Sequence, residues 1–67
     1  MKVVSGKYLA RVAESHGWEL RGVKGSHHGY VKPGHRPVTI PVHRNEDLGV
    51  GLLKKLLKQL GLTEADL

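Results

Sequence analysis

Histidine is the residue type in this chain best suited to chemistry, and its placement narrows the choice. Five histidines occur in 67 residues, and imidazole can both take and give a proton near neutral pH. His16 falls at the end of a predicted helix, where the helix dipole favours a cation. His35 falls in a turn and His43 just past a strand. His27 and His28 differ, because the turn signal Gly25-Ser26 delivers them to the start of a strand, close after Lys24. Adjacent strand residues face opposite ways. If Tyr30 packs toward the helices, His28 shares its side as a packing residue, and His27, Gly29 and Val31 face out over an open surface. Spacing alone leaves His27 as either an acid–base residue or an ordinary exposed histidine.

Other chemistries find less support. Adjacent strand histidines diverge and cannot share an ion, no His-x-x-x-His pair exists and cysteine is absent, so no metal site is expected. No phosphate-binding Gly-x-x-x-x-Gly-Lys-Ser/Thr loop occurs, the glycines of 22–29 lack dinucleotide-binding spacing, and there is no cysteine nucleophile. No cofactor is expected. What remains is proton transfer by histidine on a basic surface. RNA suits it, because its own 2′-hydroxyl can serve as the nucleophile.

The elements that must position these residues follow from periodicity. Tyr8, Leu9, Val12 and Ala13 recur at helical spacing. Ser5 can cap that helix, with Val4 placed to staple onto Leu9, and Gly17 should end it, which predicts a helix over 5–16. Trp18 and Leu20 alternate with Glu19 and Arg21, predicting a strand over 18–24. Further strands are predicted over 28–32 and 38–42, separated by the turn Pro33-Gly34. Pro41 cannot donate a ladder hydrogen bond, which suits an edge strand. Leu52, Leu53, Leu56, Leu57 and Leu60 form a broad apolar stripe with Lys54, Lys55 and Lys58 opposite, a helix over 51–60 closed by Gly61. Thr63 can cap one more short turn. The order predicts an α+β sandwich, αβββα, with a three-stranded antiparallel meander and both helices on one sheet face. Its core should hold Leu9, Val12, Leu20, Tyr30, Ile40, Leu53, Leu56, Leu57 and Leu60. The leucine stripe could also be a dimer seam, but a chain with one Trp and no Phe needs it for a core.

Residues 1–67 read as one domain, and a domain this small buries only about 60% of the surface of its unfolded chain. Eleven Lys and Arg against six Asp and Glu give a formal charge of +5, which favours a polyanionic partner, nucleic acid or an acidic protein. No signal peptide or membrane span is legible, and without cysteine no oxidising compartment is indicated. A soluble, cytoplasmic protein is expected.

Gly17-Trp18-Glu19-Leu20, then Lys24-Gly25-Ser26-His27-His28, Val38-Thr39-Ile40-Pro41-Val42-His43, and Gly51-Leu52-Leu53 through Lys58-Gln59-Leu60-Gly61-Leu62 together resemble the HicA (YcfA-like) toxin family over nearly the whole chain. Their order and spacing carry the likeness; each piece alone is weak. The resemblance implies a double-stranded-RNA-binding-like fold. It also implies a toxin of a type II toxin–antitoxin system, an endoribonuclease that cleaves messenger RNA without a metal and independently of the ribosome, and a HicB-type antitoxin as partner. The family's catalytic histidine directly follows Gly-Ser, which here is His27. The chain departs at Gly29, where a larger residue is common, and at Gly34-His35-Arg36, where an acidic residue often precedes the glycine.

The expected site is therefore His27 as catalytic residue, with Lys24, Ser26, Lys54, Lys55 and Lys58 as substrate-binding candidates. A competing expectation is a non-catalytic double-stranded-RNA-binding module that sets those three helix lysines on phosphates. An inactive relative that still binds its antitoxin is another.

Overall fold

The computed structural model describes residues 3–67; Met1 and Lys2 of the N-terminal stretch lie outside them. Helix α1 spans Gly6–Ser15, strands β1, β2 and β3 span Glu19–Lys24, His27–Val31 and Val38–Pro41, and helix α2 spans Val50–Leu60. A 3-10 turn, Glu64–Asp66, follows. The strands form one antiparallel sheet in the order β1-β2-β3. This is the expected αβββα order, with Pro41 at the end of an edge strand.

Local chemistry accounts for each boundary. Ser5 Oγ accepts the Tyr8 amide at 3.1 Å, satisfying a donor that the first helical turn cannot. Both helices then end alike. Gly17 takes φ +92° while the Trp18 amide reaches back to the Ala13 carbonyl at 3.1 Å, and Gly61 takes φ +72° while the Leu62 amide reaches the Leu57 carbonyl at 2.9 Å. Each is a left-handed exit that sends the next apolar side chain back toward the helix. Between β1 and β2, Gly25 at φ +60° makes the two-residue turn that pairs Lys24 with His27.

The core lies between one sheet face and the two helices. Leu9, Ala10 and Ala13 of α1, Tyr30, Val38 and Ile40 of the sheet, and Leu53, Leu56, Leu57 and Leu60 of α2 are buried together with Val4, Trp18 and Leu48. Two expected core members differ. Leu20 is 47% exposed because β1 is an edge strand reaching past the cover of α1, and Val12 is only half-buried on the flank of α1. Trp18 takes the central place instead. It precedes β1, is 2% exposed, and its indole N–H donates to the Leu60 carbonyl at 3.3 Å, tying the exit of α1 to the end of α2.

Two further contacts close the shell around α1. The Tyr8 hydroxyl donates to the Leu67 carbonyl, and His16 Nε2 lies 3.4 Å from Asp66. The Thr63 amide, 2.7 Å from the Asp66 carboxylate, is the main reason that acid is held below its ordinary range.

Candidate active surface on the open sheet face

Directly paired strand residues share a face, with Cβ atoms roughly 4.5–5.5 Å apart, so the register assigns every side chain. Tyr30 is buried and paired with Val38, and His28 is paired with buried Ile40; these point into the helix layer, whereas Val23, the β1 partner of His28, stays 55% exposed at the sheet edge. His27, Gly29 and Val31 point the other way. On the open face, Lys24, His27 and Pro41 form one row across the sheet, and Gly22, Gly29 and Thr39 form the next.

A break in β1 puts Lys24 there. Leu20 pairs with Tyr30 and Gly22 with Gly29, leaving Arg21 as an extra residue. Strict alternation from Leu20 would send Lys24 into the helix side. The bulge shifts the strand by one residue and sets the lysine opposite His27. Gly22, Val23, Lys24, His27, Gly29 and Thr39 line a shallow depression at this place. Both His27 and Lys24 are exposed, and neither side chain is held by a hydrogen bond or ion pair among the described residues. An exposed imidazole thus stands opposite a lysine on an uncovered surface. Ser26 is half-buried in the turn, and its carbonyl accepts the Val42 amide at 2.6 Å, which fixes the turn against the end of β3.

The remaining histidines have structural occupations. His16 joins the Val12 carbonyl at 2.9 Å and Asp66, and His35 stacks at a tilt on Trp18 with centroids 5.4 Å apart. His43 Nδ1 lies 2.8 Å from a Glu46 carboxylate oxygen. Lys54, Lys55 and Lys58 are exposed on the side of α2 opposite its buried leucines. The structure therefore brings Lys24 and Ser26 to His27 and leaves the three helix lysines on the far side of the molecule. The bulge that recruits Lys24 has no signal in the sequence beyond Gly22.

His28 instead faces a groove with Lys7, Arg11, Glu14, Leu20 and Tyr30. The Tyr30 hydroxyl donates to Glu14 at 2.9 Å, and burial, then that bond and the carboxylate charge, push its pKa up to about 12 from 10.0. Below pH 10 the phenol is protonated folded or unfolded. Between pH 10 and about 12 the unfolded chain gives up this proton first, so stability should fall as pH rises through that window. Urea titrations at pH 9 and 11 should show a steeper loss for the parent than for Tyr30→Phe.

Among the described residues no helix is long and apolar enough to cross a membrane. A family model for the HicA toxin of bacterial toxin–antitoxin systems matches residues 6–62, from the first residue of α1 to just past α2. No curated protein matches the chain.

Proposed function

The chain belongs to the HicA toxin family of bacterial toxin–antitoxin systems, and from that premise we propose that it acts as an endoribonuclease on messenger RNA, with His27 as its catalytic residue. The toxin pairs with an antitoxin; we assign that partner to the HicB type and the site of action to the cytoplasm. The observation that carries the catalytic reading is the shared row of His27 and Lys24 on an uncovered sheet face.

Neutral His27 removes the proton from an RNA 2′-hydroxyl. The 2′-oxygen attacks the adjacent phosphorus, the bond to the 5′-oxygen breaks, and that oxygen leaves with a proton returned by the His27 imidazolium or by water. The products are a 2′,3′-cyclic phosphate and a 5′-hydroxyl. Lys24, across the turn, offsets charge growing on the phosphate oxygens. No metal takes part in these steps. Purified protein incubated with RNA in EDTA should yield both end groups; a gel shift without cleavage would instead favour the binding-module reading, in which Lys54, Lys55 and Lys58 hold duplex phosphates from the far side.

Lys24 makes a separate prediction. Lys24→Ala should weaken binding to single-stranded RNA and reduce the slope of log affinity against log salt by about 0.7, the value for one phosphate contact. Anisotropy titrations over a range of salt concentrations measure it. The antitoxin is expected to present an acidic face, because complementary charge speeds encounter, and to cover His27; cleavage undiminished in the complex would rule out occlusion.

A further inference from the structure

The two glycines in the row beside His27 are not required by the fold. Neither Gly22 nor Gly29 has a positive φ. A Cβ built on Gly22 meets nothing within 4 Å, and one on Gly29 meets only the Gly22 carbonyl oxygen at 3.6 Å, an ordinary contact. Gly6 is the opposite case, where the chain itself fills the space a Cβ would take. Glycine within a strand weakens it and often marks a bulge, a bend, or a place where a ligand or another backbone comes close; the bulge falls just before Gly22, and the pairing through Gly29 is regular. Here Gly29 lies on the central strand of a domain with little core to spare.

The depression has walls and a charge. The row of Lys24 and His27 bounds it on one side, and Gly22 and Gly29 lie in the adjacent row. The Thr39 hydroxyl stands at its β3 end and the Lys24 ammonium at its rim. We propose that this depression is a nucleotide subsite, in which one base of single-stranded RNA lies flat on the bare backbone of Gly22 and Gly29 next to the phosphate held at His27 and Lys24. Gly29 is then the specificity-determining residue, because a side chain there occupies the space of the base. A flat, apolar backbone surface suits a base face, Thr39 can donate to or accept from its edge, and the net charge of +5 favours the attached phosphates. The inference rests on the RNA reading of this face but not on cleavage.

The test uses the full chain with His27→Ala, so that RNA stays intact, and a labelled single-stranded 12-mer beside the same 12-mer carrying abasic sites. Adding Gly29→Val should weaken binding of the normal RNA by about fivefold, the lower end of what losing one stacked base costs. Its salt dependence should not change, since no phosphate contact is lost, and the abasic RNA should bind both proteins alike. If Gly29→Val does not fold, Gly29→Ala, which adds only a Cβ in ordinary contact, should show the same pattern in smaller degree. Equal affinity for the normal RNA with and without the added side chain overturns the proposal. So does an effect seen only on antitoxin binding, which would give the space to a side chain of that protein. A base-dependent loss in a protein whose parent does not cut RNA would uphold the subsite and remove the ribonuclease reading. Cleavage by the parent together with unchanged binding by the variants would do the reverse.

Discussion

Gly6→Ala should destabilise the protein by about 3 kcal/mol, the upper end for overpacking, and lower its melting temperature by roughly 12 °C or more. Gly6 is buried at the first position of α1, and a Cβ there would overlap the Pro41 carbonyl oxygen while lying 2.9 Å from the Pro41 carbonyl carbon and 3.3 Å from the Val42 Cα. All three obstacles are backbone, so no side-chain rotation relieves the clash. Either α1 must lift from the sheet, uncovering Leu9 and Ala10, or the end of β3 must move. The second route reaches the site, because Pro41 is the β3 partner of His27. Gly51→Ala is the matching control. It lies in the first turn of α2 with nothing within 4 Å of its Cβ position, so alanine there should stabilise by about 0.5–1 kcal/mol through helix propensity. Melting curves of the two variants should move in opposite directions; a Gly6→Ala protein that melts with the parent would mean that α1 does not approach β3 this closely.

Gly6 also marks the limit of what the sequence makes legible. Its φ is unremarkable and its place just inside a helix start gives no local signal; the constraint comes from Pro41, far away in the chain. The helices were legible because their information is local: Ser5 as cap, Gly17 and Gly61 as exits, and leucines at fixed spacing in α2. The facing of His27 followed from one parity argument, that Tyr30 points inward, and the burial of Tyr30 supports it. Alternation failed at β1 for two physical reasons. Trp18 belongs to the exit of α1, where the left-handed Gly17 turns it back into the core, rather than to the strand that Leu20 suggests. The bulge at Arg21 then changes the parity, so that Leu20 and Lys24 lie on opposite faces although they stand an even number of residues apart. Lys24 reaches His27 by that irregularity. The turn Gly25-Ser26 made their closeness in sequence visible, but not that both side chains share the open face.

The second large effect concerns chemistry alone. His27→Ala should slow RNA cleavage by about 10²- to 10⁴-fold, the range for losing a general acid or base. The His27 side chain is exposed and held by no hydrogen bond among the described residues, so its removal should leave the melting temperature within a degree or two. Lys24 remains on the same row, so RNA binding should remain nearly intact. His28→Ala is the useful neighbour: its side chain is half-buried in the groove with Tyr30 and Glu14, and it should act on stability rather than on the chemical step. The most direct measurement is the single-turnover rate of RNA cleavage in EDTA by parent and His27→Ala proteins whose folding has been matched by circular dichroism. The parent should leave 2′,3′-cyclic phosphate ends and the variant should lose at least about a hundredfold in rate; a folded His27→Ala protein cutting RNA at the parental rate would remove His27 from the chemistry.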